Sequence, residues 1–402
     1  MERDIKILVV DDTVTYRQIL SKIVSGFENV EVIGVASNGK LALSKIELNP
    51  PDLVLLDVFM PVMDGLETLD RIRQQHPNID VIMLSGVDKE NANLTMKALG
   101  AGALDFIAKP KGDSPEKNAD ELRAALSRLI LMARTRKYSR QARGISVPDS
   151  AETQVRAALQ PPREAKGQPQ GIAPAPAAKP PPLSEILYRE KPPEKIVFEE
   201  KRIIRKAGKI DAVVIGVSTG GPNALQEIIP RLDADFPVPI LAVQHMPAMF
   251  TASLADRLNS ISDIRVIEAK EGNLIEKGVM YIAPGGRHTV VKRDRFSNKI
   301  IGLMDSPPVN SCRPSADVLF LSAAMVYKGN VLAVILTGMG NDGLSGTAAL
   351  RREGAYIIVQ DEKSSVIWGM PGSVVEAGQA DEIVPLDRMA ARITGIVRGG
   401  QA

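Results

Sequence analysis

Two stretches of this chain alternate short runs of branched apolar residues with longer amphipathic ones, and the stretch between them does neither. In the first, IKILVV, VEVIGVA, DLVLLDV, DVIMLS and LDFIAK predict five strands, with helical patterns such as 16–25 and 66–75 between them. Runs that are apolar at nearly every position suit strands covered on both faces, as in a parallel sheet flanked by helices. The same alternation resumes at Lys209, where DAVVIGVS, PILAVQH, IRVIEA, GVMYIA, VLAVILT and AYIIVQ predict strands and 223–232 and 345–353 predict helices. Between the blocks, PPREAKGQPQGIAPAPAAKPPP and KPPEK are rich in Pro and Ala. Proline removes backbone donors and fixes φ, so this stretch predicts a flexible, semi-extended linker. One segment within it, LSEILYRE at 183–190, is a candidate docking helix, with an idle transient helix as the plainer alternative. The expected organisation is α/β: two doubly wound parallel-sheet domains, 1–134 and 209–402, joined by a Pro/Ala-rich linker, 135–208. No short-period repeat suggests a solenoid.

Bulk composition narrows the partners. A chain of 402 residues with 44% apolar residues supplies two cores. With 50 basic against 48 acidic residues, the charge balance gives no reason to expect nucleic acid or an anionic membrane, and 4% aromatics makes a poor platform for stacking bases. Cys312 is the only cysteine, so an intrachain disulfide and a thiolate metal cluster are excluded; the residue reads as packing rather than as a nucleophile. The N-terminus MERDIKILVV lacks a leader pattern, and no run approaches the roughly 20 apolar residues of a membrane span. A soluble, cytoplasmic monomer is expected, with no membrane insertion.

In open parallel sheets, functional groups collect beyond the carboxyl ends of the strands. Asp11 and Asp12 end the first predicted strand, Asp57 the third and Ser85 the fourth, while Lys109-Pro110 follows the fifth. Three carboxylates brought together need a cation, and oxygen-only ligation suits Mg²⁺. A carboxylate beside that metal can attack a phosphoryl donor, with Ser85 and Lys109 serving the phosphoryl oxygens. Each aspartate taken singly also reads as a helix cap; the set does not. LVVDD, LLDVFMPVMDG, MLSG and FIAKP make the block resemble the receiver domain of two-component response regulators, a flavodoxin-like fold, from Ile5 to about Arg134. The resemblance implies that Asp57 is phosphorylated and that Asp11 and Asp12 are metal ligands together with Asp57 and the Phe59 carbonyl. It also implies that Phe106 reorients when Ser85 engages phosphate.

The second block carries Gly216-Val217-Ser218-Thr219-Gly220 at a strand end, which fits the G-x-S-x-G nucleophile elbow. A Gly-rich phosphate loop is the competing reading of that turn, although it lacks a P-loop Lys-Ser/Thr pair. A serine nucleophile needs a base. His245 ends the next strand and is favoured over His288, which follows APGGR; His76 lies in the first block. Asp342, in the strand-end loop GMGNDG, is the candidate orienting acid, with helix capping as its alternative. The order Ser, His, Asp differs from that of α/β-hydrolases.

GVSTGGP, QHMP, YIAPGGRH, SCRPSADVLF and LTGMGNDG make this block resemble the Rossmann-like catalytic domain of CheB-type chemotaxis methylesterases. The resemblance implies a phosphorylation-activated protein-glutamate methylesterase and glutamine deamidase. Its substrates would be methyl-accepting chemotaxis receptors, and its phosphodonor a histidine kinase of the CheA type. Ser218, His245 and Asp342 would be catalytic, the Met339 amide an oxyanion donor and Thr219 an assistant, with no metal in this domain. The unphosphorylated receiver would cover the active site. The linker is long for the family, so weaker docking, or docking helped by 183–190, is a further expectation. A regulator with a nucleic-acid-binding output is disfavoured, because no basic recognition helix follows the receiver.

Overall fold

A computed structural model describes residues 5–110, 112, 114–144 and 207–399. The segment 183–190 and most of the proline-rich stretch lie outside the described residues.

The first block forms strands β1 (Ile5–Val10), β2 (Val30–Ala36), β3 (Leu53–Asp57), β4 (Asp80–Ser85) and β5 (Asp105–Ala108). They pair in parallel in the order β2-β1-β3-β4-β5. Helices α1 (Val14–Val24), α2 (Gly39–Leu48), α3 (Gly65–Gln75), α4 (Lys89–Gly100) and α5 (Pro115–Gly144) cover the sheet. Every residue of β3 and β4 is buried, as their unbroken apolar runs require, whereas edge strand β2 is mostly half-exposed. Local chemistry starts the helices: Asn38, Asp64 and Asp88 each accept a backbone N–H three residues on, at α2, α3 and α4. Helix α5 continues past Arg134, where the sequence pattern ends the block, as far as Gly144.

The second block builds a seven-stranded parallel sheet in the order β14-β13-β12-β6-β7-β9-β8. These strands are β6 (Ala212–Val217), β7 (Ile240–Gln244), β8 (Arg265–Glu268), β9 (Val279–Ile282), β12 (Val331–Ile335), β13 (Tyr356–Gln360) and β14 (Glu382–Val384). The chain winds outward from β6 in one direction through β7, then returns to β12 on its other side. The topological switch point therefore falls at the carboxyl end of β6, where this architecture opens a crevice. Helices α6 (Gly221–Ile228), α7 (Phe250–Ile261), α8 (Ala316–Tyr327), α9 (Leu344–Glu353), α10 (Gly369–Glu376) and α11 (Leu386–Val397) complete the layers. Outside the parallel sheet, β10 (His288–Arg293) and β11 (Lys299–Met304) form an antiparallel hairpin.

Both sheets belong to one compact unit. A single apolar cluster runs from Met83, Met96, Leu99 and Ala103 of the first block to Leu225, Phe250 and Leu254 of the second. Burial of this kind is the main favourable term holding α4 and β5 against α6 and α7.

Candidate functional site

Ser218 lies one residue beyond β6, at the switch point. Its amide donates to the Thr337 carbonyl at 3.0 Å, and its carbonyl accepts the Gly221 amide at 2.8 Å, which closes the turn into α6. Gly220 makes that turn with φ +75, a region where a side chain is strained, and a Cβ there would sit 2.5 Å from Val366. At Gly338, a Cβ would approach the Ser218 Cβ to 2.7 Å, so glycine lets the loop after β12 lie directly against the nucleophile candidate. Buried Gln244 donates to the Ser218 carbonyl at 2.9 Å and fixes the turn from the β7 side. The Thr219 and Met339 amides donate no hydrogen bond among the described residues, and the Ser218 hydroxyl makes none there either.

Pairing of β6 with β7 brings His245 alongside, its amide on the Val217 carbonyl at 3.1 Å. His245 Nε2 meets Asp342 Oδ2 at 2.7 Å, and Nδ1 lies 3.5 Å from the Cys312 Sγ. Asp342 is buried and also accepts from the Ser315 hydroxyl at 2.6 Å, the Ala316 amide at 2.6 Å and the Asn310 Nδ2 at 3.0 Å. Burial alone would push Asp342 upward, but His245, Ser315 and Ala316 hold it down at about 2. Burial likewise disfavours charge on His245, yet bonding to Asp342 and Cys312 outweighs it and raises the ring to about 9. An ionised carboxylate only accepts, so Nε2 carries a proton and Nδ1 is the nitrogen able to act as a base. His288, the rival, is fully buried, and its Nε2 engages the Pro307 carbonyl at 3.1 Å. His76 ends α3 in the first block.

At the other sheet, Lys109 Nζ bridges Asp11 and Asp57, 2.8 Å from each. Carboxylate oxygens of Asp11, Asp12 and Asp57 lie within 4.8 Å of one another. Burial, first, and the charges of Asp11 and Asp12 push Asp57 up to about 6, with Lys109 opposing them. An oxygen-only set with an excess of negative charge fits a hard divalent cation. Ser85 is buried and accepts from Thr95 Oγ1 at 2.7 Å, so α4 holds it in this arrangement. Phe59 is exposed in the loop after β3.

The two centres meet through β5. Phe106 stacks on Phe250, at the start of the helix following His245, with centroids 4.5 Å apart. Asp105 Oδ2 accepts the Gly220 amide at 3.3 Å, and the Ala103 carbonyl accepts from Asn223 at 2.9 Å. The first block thus lies against the turn that carries Ser218. Burial pushes Asp105 up to about 6, against the amides of Phe106 and Gly220, which pull it down. This folded value lies above the ordinary one of 3.8. The stabilisation is therefore whole below the ordinary value and lost as pH rises through about 6. Asp105→Asn is expected to escape that loss and to gain up to about 3 kcal/mol over the parent between mildly acidic and alkaline pH. Urea unfolding of both proteins at pH 5 and pH 8 checks this; a difference that stays constant between the two would contradict it.

Several of these contacts carry no sequence signal. Cys312 reads as packing from sequence, but its sulfur faces the His245 ring. Asn310 and Ser315 lie in an irregular loop remote in sequence from Asp342, and only the tertiary fold joins them.

Residues 213–393 match the CheB methylesterase family and residues 7–119 the response regulator receiver domain family. A protein-glutamate methylesterase/protein-glutamine glutaminase from Desulfotalea psychrophila is 39% identical over 98% of this chain and 99% of its own. One of the same name from Trichodesmium erythraeum is 41% identical over 96% of this chain and 97% of its own. A crystal structure of the Thermotoga maritima CheB methylesterase catalytic domain is 42% identical over 47% of this chain and all of that one, with a TM-score of 0.46.

Proposed function

Because the chain belongs to the protein-glutamate methylesterase/protein-glutamine glutaminase family, with a receiver domain preceding a CheB methylesterase domain, we propose that it demethylates and deamidates chemoreceptors with Ser218, His245 and Asp342. The observation that carries the assignment is the convergence of three strand ends: Ser218 after β6, His245 after β7 and Asp342 after β12, with His245 bonded to Asp342. Neutral His245 takes the Ser218 proton at Nδ1 as Oγ bonds to the glutamyl carbonyl carbon. The amides of Thr219 and Met339 stabilise the oxyanion. His245 returns the proton to the leaving methoxide and methanol departs. Water, deprotonated by His245, then attacks the acyl carbon, and His245 returns that proton to Ser218 Oγ as the acyl–oxygen bond breaks to release glutamate. Glutamine follows the same course and loses ammonia.

Asp57 is the phosphoacceptor in this reading. Its carboxylate attacks phosphorus, an O–P bond forms, and the bond to the donor histidine nitrogen of the kinase breaks. Asp11, Asp12, Asp57 and the Phe59 carbonyl would hold Mg²⁺, which supplies charge neutralisation for the phosphoryl oxygens when bound. Lys109 offers a second positive group, and the Ser85 hydroxyl a donor. Among the described residues no helix is long and apolar enough to cross a membrane.

A fluorophosphonate directed at activated serines, followed by peptide mass analysis, tests the site. Adduct on Ser218 with parallel loss of methanol and ammonia release is expected; full inactivation without a Ser218 adduct would refute it. The pH profile is a second check. The basic form of His245 is the active one, so kcat/KM of the unphosphorylated protein should climb with pH toward a half-point near 9. A half-point below 7 in methanol-release assays would contradict the raised imidazole.

A further inference from the structure

We infer that Asn310 and Ser315 are positioning residues that aim the Asp342 carboxylate at His245. The inference rests on the triad reading above and concerns how the acid of that triad is held. Asp342 precedes α9, yet it serves the N-terminus of a different helix. Its Oδ2 accepts the Ala316 amide at 2.6 Å and its Oδ1 the Asp317 amide at 3.3 Å, both in the first turn of α8. Asp317, in that same turn, returns the favour: its Oδ1 accepts the Gly346 amide in the first turn of α9 at 2.7 Å. Two helices thus exchange carboxylates at their N-termini, where unpaired amides and the helix dipole both favour negative charge.

Asn310 ties the crossed pair together. Its Nδ2 donates to Asp317 Oδ2 at 2.8 Å and to Asp342 Oδ1 at 3.0 Å. One amide group therefore separates two buried carboxylates that would otherwise repel. Ser315, fully buried, donates to the same Asp342 Oδ1 at 2.6 Å. With Oδ1 occupied by Asn310, Ser315 and the Asp317 amide, Oδ2 is the oxygen presented to His245 Nε2. The loop is shaped for this task. Asn310 and Ser311 both have positive φ, 50 and 61, and the reciprocal bonds of Val309 and Cys312 close the turn around them. Non-glycine residues held there are uncommon, and such strain persists only where surrounding contacts over-determine it.

A helix-capping role alone would affect stability and leave the chemistry of His245 untouched. The two roles separate in steady-state demethylation by the full-length chain, measured from pH 6 to pH 10 for Asn310→Ala, Ser315→Ala and Ser315→Thr, with thermal melts alongside. Losing one hydrogen bond to the charged carboxylate should lower kcat about 10- to 100-fold with KM nearly unchanged. The acid limb should move toward lower pH as Asp342 loses its grip on the imidazolium. Ser315→Thr, which keeps the hydroxyl, should retain most of kcat and the parental limb. Parental kcat and limb in folded Asn310→Ala and Ser315→Ala would overturn the inference, as would losses tracking the melted fraction with the limb unmoved. If Ser315→Ala does not fold, Asn310→Ala, at an exposed position, decides alone. Asp342→Asn in the same series distinguishes the failures: parental behaviour there sinks the triad itself, whereas its collapse beside intact Asn310→Ala and Ser315→Ala sinks only the positioning role.

Discussion

Ser218→Ala is expected to abolish methanol release from methylated receptor, by a factor on the order of 10⁴ to 10⁶, while the protein folds as before. The size follows from the loss of the covalent route: without Oγ, only general binding and the oxyanion amides remain. The unchanged fold follows from a separate observation. Among the described residues the Ser218 hydroxyl makes no hydrogen bond, so its removal forfeits no bonded contact. The amide and carbonyl that hold the turn, on Thr337 and Gly221, belong to the backbone and survive the substitution. Phosphate uptake at Asp57 should be equally untouched. Methanol and ammonia release, thermal melting and phosphorylation measured on one preparation separate these outcomes. Residual activity above about a hundredth of the parent would assign the chemistry to another group.

Both halves of the site were visible in sequence to different depths, and the reason is geometric. A strand-end residue needs only the strand pattern to be placed, since parallel winding delivers every carboxyl end to one edge. Asp11, Asp57, Ser218, His245 and Asp342 were legible on that ground, as were most strands of both sheets. The β10–β11 hairpin was not, because polar residues flank the Val pair of HTVVKR and Gly302 interrupts the apolar run of KIIGLM. Nor was β14, three residues long. The environment of His245 depends on an irregular loop that obeys no period, so Asn310, Cys312 and Ser315 gave no signal beyond their identities. Docking of one block on the other was harder still. Asp105 and Phe106 sit in a stretch whose resemblance accounts for them within the receiver, and nothing local says that Gly220 and Phe250 are their partners.

Asp57→Asn should eliminate stimulation by a phosphodonor while leaving the basal activity of the unphosphorylated parent. In the proposed reading Asp57 is the carboxylate whose oxygen forms the bond to phosphorus, and an amide in its place is a poor nucleophile. The reach of that event to Ser218 follows the contacts of β4 and β5. Ser85 accepts from Thr95 of α4 and turns its own O–H toward the Gly86 and Asn91 carbonyls; recruitment of that O–H to phosphate would take it from those carbonyls. Phe106, paired with Met83 one strand over, would then be free to leave Phe250. Every ~1.4 kcal/mol by which phosphate disfavours the docked state multiplies the open population about tenfold while that state is rare. Phe250→Ala attacks the same equilibrium from the catalytic side, so it should raise basal activity without any phosphodonor and blunt further stimulation. In the double variant with Asp57→Asn, that raised basal rate should persist, since the opening no longer needs phosphate. Demethylation rates with and without acetyl phosphate and Mg²⁺ across the four proteins measure all of this. A parental phosphate response in Asp57→Asn would move the phosphoacceptor elsewhere. An unchanged basal rate in folded Phe250→Ala would mean that the stacked aromatics do not restrain the active site.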